Sequence, residues 1–348
     1  MSTAISDIGI GPRGRIRARH RRAMLISSCL LAFCFGCGAQ AATAKQQTKP
    51  AQHADAATTV TDDVGRQIEV SQPVRRIVSL APSVTETIYA LGAQDRLVAD
   101  TDYCDYPPEA KQKPKIGGVI NPNLEQVVAM RPDLVVVAAQ SGNRRETVDA
   151  LERLHVATYA TDARTVADML RSVSRLATVI DAEEQGKAVV ASLQTRLDDL
   201  RRKLEGVAPA RVLFVVWTAP LISVGGDNFL SDALRLAGAE SVVHSQQDWP
   251  HVSLEEVVRQ QPDYIIFADS DTDRILSDFA SLRQQPGWRD LKAAQENRLA
   301  IISDAINRPA PRLVDAIEQL ARQLHPEVFA PPTTLTHRPF AMPAGAAP

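Results

Sequence analysis

The chain has 348 residues, 45% of them hydrophobic and 23% charged, with a formal net charge of −2. That length holds two or three domains and supplies a core without staples of metal or disulfide. The near-neutral balance argues against a nucleic-acid binder, which carries a basic face, and four cysteines are too few for a disulfide scaffold. Cys29, Cys34 and Cys37 crowd near the start, and Cys104 alone lies in the remainder.

That crowding has a cause. Six arginines between Arg13 and Arg22 precede an apolar stretch of 13 residues, Ala23 to Phe35, and a small-residue site ending Ala39-Gln40-Ala41. Basic, apolar, then small is the layout of a secretory signal peptide, and 13 residues fall short of the ~20 a spanning helix needs. The expectation is a signal peptide over 1–41, cleaved on export to the periplasm. An uncleaved anchor, or lipidation at Cys29 or Cys37, are the alternatives. Without 1–41 the chain has 33 basic and 40 acidic residues, net −7, and one cysteine.

Residues 42–60, rich in Ala, Thr, Gln and Lys, read as a flexible leader, and 326–348, rich in Pro and Ala, as a disordered tail. Between them, β-rich runs alternate with helical periodicity, the pattern of an α/β class. Val64-Gly65-Arg66 predicts a hairpin turn. Residues 76–80 and 97–100 predict strands, and Ser83-Val84-Thr85-Glu86 has the spacing of a capping box opening a helix to Leu91, with Gly92 closing it. A short helix is expected over 123–130 and an apolar strand over 133–138. Farther on come a helix over 169–180 and, capped by Asp181, a long one over 182–205. Its 24 residues would reach ~36 Å, long enough to join two lobes.

A repeat supports two lobes. Residues 123–138 (NLEQVVAMRPDLVVVA) and 253–268 (SLEEVVRQQPDYIIFA) match at seven of sixteen positions without a gap. Each copy reads as a capped helix, a Pro-Asp turn and an apolar strand. Chance similarity between common α/β units is the competing explanation. The expected fold is α/β: two Rossmann-like lobes, 61–165 and 207–325, joined through a helical linker over 166–206, with a cleft between them as the usual place for a ligand.

Residues 76–83 (RIVSLAPS) with Thr85-Glu86, then 102–108 (DYCDYPP), Asn123-Leu124-Glu125 and 131–134 (RPDL) are similar to the periplasmic vitamin B12-binding proteins. So are Trp249-Pro250, Val252-Ser253, Glu255, Ser303-Asp304 and Arg308. The likeness runs from about 62 to 325. It implies the class III periplasmic-binding-protein fold and a monomeric, non-enzymatic substrate-binding protein of an ABC importer for cobalamin, haem or ferric siderophores. It further implies that Tyr103 and Trp249 pack on a bound corrin from opposite lobes and that Asp304 to Arg308 border the cleft. Trp217, ending an apolar strand over 212–216, is a further candidate. Aromatic faces with a few polar groups suit a large, rigid macrocycle. Cobalamin, bringing its own cobalt, ranks first, with no separate cofactor or protein-bound metal expected.

The sequence departs from that family where Val119 and Ala138 stand in place of tryptophans. Haem or a ferric siderophore is the second reading, with Tyr103, Tyr106, His244 or His251 as possible ligands to a haem iron. Glu125 and Glu255 occupy equivalent repeat positions. Either they simply favour a helix N-terminus, or, as the resemblance implies, they dock on arginine pockets of a permease dimer. Cys104 reads as an incidental thiol. Enzyme chemistry is disfavoured: there is no G-x-S-x-G, no H-E-x-x-H, and Gly225-Gly226 lacks the rest of a phosphate loop. The six histidines beyond 1–41, His53, His155, His244, His251, His325 and His337, are scattered without metal-ligand spacing.

Overall fold

The computed structural model describes residues 56–139 and 143–329. The expected signal peptide, its cysteines and the tail beyond 329 lie outside them. The chain opens with a hairpin, β1 (Ala56–Thr61) antiparallel to β2 (Gln67–Gln72), with Val64-Gly65-Arg66 in its turn. Asp62 closes that turn, accepting from the Val64 and Arg66 amides at 3.2 and 2.7 Å. The segment read as leader thus gives its last residues to β1.

The first lobe follows with β3 (Ile77–Ser79), α1 (Pro82–Ala90), β4 (Leu97–Ala99), α2 (Leu124–Ala129), β5 (Leu134–Ala138), α3 (Arg145–Arg153) and β6 (Thr158–Thr161). Its sheet is parallel, in the order β4-β3-β5-β6. Two helices come next, α4 (Val166–Val179) and α5 (Glu183–Leu204). The second lobe comprises β7 (Ala210–Val215), β8 (Trp217–Thr218), β9 (Leu221–Ile222), α6 (Phe229–Leu236), β10 (Ala239–Ser241), α7 (Leu254–Gln260), β11 (Tyr264–Ala268), α8 (Thr272–Leu282), α9 (Lys292–Gln295), β12 (Leu299–Ile302) and α10 (Leu313–Leu324). Its sheet, also parallel, runs β10-β7-β11-β12. Both sheets therefore place the first strand second and the second strand first. The repeat read in the sequence is a repeat of topology, with α2–β5 and α7–β11 as corresponding units.

Two helix boundaries differ from expectation. Ser83 lies inside α1, whose N-cap is Ala81 with Pro82 behind it, and the cap makes no side-chain hydrogen bond. Proline suits a first helical turn because its missing N–H would go unpaired there. Glu86 is freed for another role. Asp181 sits at φ 51° in the turn leaving α4 and does not cap α5, which begins after Ala182. A short polar side chain tolerates that left-handed conformation.

Among the described residues, buried apolar side chains form three clusters. One lies on the outer face of each sheet. The largest takes the inner faces of both sheets together with α1, α4, α5, α6 and α10. Leu193, Leu197 and Leu200, at spacings of four and three, are the stripe by which α5 enters this shared core. Phe329, within the segment read as tail, packs against the same cluster, with Lys203 and Arg322 over its ring at 5.4 and 5.7 Å.

Candidate functional site

In parallel α/β sheets the connecting helices run back along the strands. Loops that follow strands, and the N-termini of the next helices, gather at the carboxyl end, where ligands bind. The candidate residues fall there in both lobes.

In the first lobe the loop after β4 carries Tyr103, which is 64% exposed. The loop is built from beneath. Asp100 is buried, Lys115 Nζ donates to its Oδ1 at 2.7 Å, and the same ammonium donates to the Cys104 and Ala110 carbonyls. Burial, only partly offset by Lys115, pushes the Asp100 carboxyl up to about 6. Its Oδ2 has no partner among the described residues. Cys104 faces inward, its Sγ 3.2 Å from both Thr85 Oγ1 and Thr101 Oγ1, and burial pushes its thiol pKa up. This is a packed thiol in its resting, protonated form. The Tyr103 ring lies over Gly118, where an added Cβ would come 3.7 Å from Cε2. Of the two positions that depart from the family pattern, Ala138 is buried at the end of β5, and Val119 is half-buried with its carbonyl bound by Asn143 Nδ2 at 2.9 Å.

In the second lobe Trp217 lies on a small ribbon, and Trp249 immediately precedes the ribbon's third strand. β8 pairs with β9, placing Trp217 opposite Ile222, and Ile222 bridges in turn to His251. Bonds from Ser223 N to Pro250 O (3.2 Å) and Val252 N to Leu221 O (2.9 Å) make residues 250–252 the third strand. Directly opposed residues share a face, so Trp217, Ile222 and His251 line one side, and Trp249 stands immediately before the third strand. Trp217 and Trp249 are 61% and 45% exposed, and the Trp217 indole N–H donates to Ala219 O at 2.9 Å.

Asp304 and Arg308 belong to a clasp between the lobes. Arg308 donates to Glu86 Oε1 of α1 at 2.9 Å and to Asp105 Oδ1 at 2.7 Å, and lies 3.2 Å from Asp304. Arg312 grips Glu86 with both Nε (3.1 Å) and Nη2 (3.0 Å), its guanidinium 3.9 Å above the Tyr106 ring. Glu86 is almost wholly buried and each arginine largely so. Burial opposes the charge on Arg308, yet Asp105 and Glu86 outweigh it and hold its pKa above the ordinary value. Burial likewise pushes Asp105 up, and Arg308 more than reverses this, leaving it below the usual carboxylate range. Such a bidentate, desolvated cluster is geometrically specific, and removing one member strands the others. Glu86, Asp105 and Arg312 escaped the sequence reading. The Pro82 at the start of α1 was the signal that Glu86 had no capping duty.

Glu125 and Glu255 stand exposed in the first turns of α2 and α7. Asn123 caps α2, accepting from the Gln126 amide at 3.1 Å; Ser253 takes the matching position without a side-chain bond. Neighbouring Glu256 pairs with Arg259, whereas Glu125 and Glu255 form no ion pair among the described residues. Each lobe thus presents one carboxylate at its carboxyl end. Among the described residues no helix is long and apolar enough to cross a membrane, and no cluster of His, Cys, Asp and Glu could hold a metal ion.

Residues 77–305 match the family model described as periplasmic binding protein. The vitamin B12-binding protein of Pectobacterium carotovorum is 33% identical over 253 residues, covering 72% of this chain and 88% of that protein. An uncharacterized ABC transporter substrate-binding lipoprotein of Bacillus subtilis, YvrC, is 28% identical over 323 residues, covering 90% of this chain and 98% of that protein. Among solved structures, the periplasmic vitamin B12-binding protein of Vibrio cholerae superposes with a TM-score of 0.65 at 28% identity, covering 72% of this chain and 97% of that one. A periplasmic heme-binding protein, BhuT, superposes with a TM-score of 0.66 at 24% identity, covering 73% of this chain and 99% of that one, and so shares the fold.

Proposed function

Since this chain belongs to the periplasmic binding protein family, we propose that it is the substrate-binding protein of an ABC importer and that its ligand is cobalamin. The observation that carries the ligand is the set of three large aromatics, Tyr103, Trp217 and Trp249, exposed at the carboxyl ends of two lobes. Exposed aromatics concentrated on one face mark a binding surface, and flat faces from opposite walls suit a rigid macrocycle. The relatives of Vibrio and Pectobacterium whose names state vitamin B12 binding, 28–33% identical, support the same reading.

Capture follows from the fold. The inner faces of both sheets share one core with α4 and α5, and the Glu86–Arg308–Arg312 clasp ties the lobes directly. The walls are therefore preformed, and affinity is not spent on ordering them. No bond is made or broken in this role. Delivery would use Glu125 and Glu255, one per lobe, against the two halves of a permease dimer in the inner membrane. Rim charges of this kind set encounter rate and register more than affinity. The export signal expected over 1–41 puts the protein in the periplasm, where such receptors work.

Haem is the second reading, favoured by exposed His251 on the ribbon face it shares with Trp217, where an imidazole could reach an iron. The test is titration of the mature protein with cyanocobalamin, haemin and ferric siderophores. Saturable cyanocobalamin binding is expected, and tight haemin binding without cobalamin binding would overturn the first choice.

A further inference from the structure

The two lobes share one topology, yet their central crevices differ. In each sheet the connections leave in opposite directions from one pair of neighbouring strands, β3 with β5 and β7 with β11, and a crevice opens at such a switch point. In the first lobe it is plugged. Asn143 accepts from the Ala138 amide at 2.7 Å and donates to the Leu80 and Val119 carbonyls at 2.9 Å. In the second lobe the residue five positions past the strand is Asp273, exposed in the first turn of α8, and it plugs nothing. A cavity of about 460 Å³ remains between the ends of β7 and β11. That volume lies within the ~300–1,000 Å³ range of small-molecule sites.

Its lining is of two kinds. Val215, Phe267 and Phe279 make an apolar floor, the two phenyl rings edge-to-face with centroids 6.0 Å apart. The rim carries Trp217 and an acidic edge, with Arg274 paired to Asp269 and standing 3.4 Å from Asp278. Two carboxylates against one already paired guanidinium repel phosphate and carboxylate ligands. They welcome hydroxyl and amine donors, while Trp217 and the phenyl floor suit a planar ring. Aromatic ring, hydroxyl and amine donors, and no anionic group together describe a nucleoside.

We propose that this crevice is a second compartment of the ligand site, taking a nucleoside carried on the face of the macrocycle, as in adenosylcobalamin. The proposal rests on the cobalamin reading and adds a preference for the group above the cobalt. Trp217, on the ribbon whose third strand Trp249 precedes and on the rim of the crevice, joins the two compartments. Asp269 and Asp278 accept from ribose hydroxyls or the exocyclic amine, and the macrocycle stays between the aromatic walls.

The mature protein is titrated with adenosylcobalamin, cyanocobalamin and free adenosine by calorimetry. Adenosylcobalamin should bind about tenfold more tightly than cyanocobalamin, the size of one added aromatic contact with its hydrogen bonds. Ser281→Phe, at an exposed position on the lining, should abolish that preference and leave cyanocobalamin affinity unchanged; Asp269→Asn should reduce it. Equal affinities for the two cobalamins in the unaltered protein would overturn the compartment while leaving the cobalamin reading intact. Absence of binding by either would overturn both. Free adenosine binding as tightly as adenosylcobalamin would mark an independent nucleoside site and also overturn the proposal.

Discussion

Trp249 and Asp100 represent two ways a single residue would serve the proposed site. Trp249 has little packing to lose, being 45% exposed just before the ribbon's third strand, so Trp249→Ala should leave the unfolding midpoint nearly unchanged. It should weaken cobalamin about tenfold or more, since a stacked aromatic contributes ~0.5–1.5 kcal/mol beyond the area it buries. Equilibrium titration beside a urea melt separates the two effects; a lowered midpoint with unchanged affinity would make Trp249 a structural residue. Asp100 acts from below, holding the Tyr103 loop through Lys115. Its folded pKa, about 6, lies above the ordinary carboxyl value of 3.8, so the fold favours the protonated form. The stability it contributes is full below about pH 4 and is lost as pH rises through about 6. Asp100→Asn removes that titration, so urea midpoints at pH 4.5 and 7.5 should differ less in the variant than in the parent. Equal differences would show that Asp100 titrates normally.

At the scale of elements, the close contact of α4 with α5 turns on Gly186. A Cβ there would lie 2.4 Å from the Ala177 Cβ, far inside contact distance. Alanine is the better helix former by ~1 kcal/mol, but forcing the helices apart in a shared core costs ~1–3 kcal/mol. Gly186→Ala should therefore destabilise, lowering the thermal midpoint, and a stabilised variant would mean that α4 and α5 can separate cheaply. In the sequence Gly186 was visible only as a lone interruption of a long helix, because nothing local says which partner approaches. The same boundary separates the legible from the illegible elsewhere. Strands β5 and β11, the caps at Asn123 and Ser253 and the two-lobe architecture were readable, because local periodicity and an internal repeat encode them. Tyr103 and Trp249 were readable as candidates from the family likeness, and Trp217 from its place at the end of an apolar strand. The clasp was not: Glu86 and Arg308 lie 222 positions apart, and the Ser83–Glu86 spacing offered a plausible local use for the glutamate. Whether a crevice is plugged or open depends likewise on Asn143 reaching Leu80 across the sheet.

The whole molecule is built to move little. A 22-residue α5 spans ~33 Å as one continuous helix, and bending it would break backbone hydrogen bonds in the shared core. The N-terminal turn of α4 is tied to the second lobe, its Val166 amide donating to Asp232 of α6 at 2.8 Å, and the Glu86 clasp closes the lobes at another point. Solution scattering of the mature protein with and without saturating cobalamin should therefore give nearly the same radius of gyration, whereas marked compaction would refute preformed walls. The clasp itself can be tested in that experiment. Glu86→Ala strands two largely buried guanidinium groups, and breaking such a cluster costs ~3–5 kcal/mol, so the variant should melt earlier and its unliganded form should scatter as a more open particle. Glu86→Gln keeps the shape and one acceptor, and should fall between the two. If the alanine variant loses stability yet keeps the parent's dimensions, the clasp is an ordinary stabilising contact and α4 and α5 alone set the spacing of the lobes. That spacing also fixes the distance between Glu125 and Glu255. Their double alanine variant should bind ligand normally and fail in uptake, while Glu86→Ala should impair both.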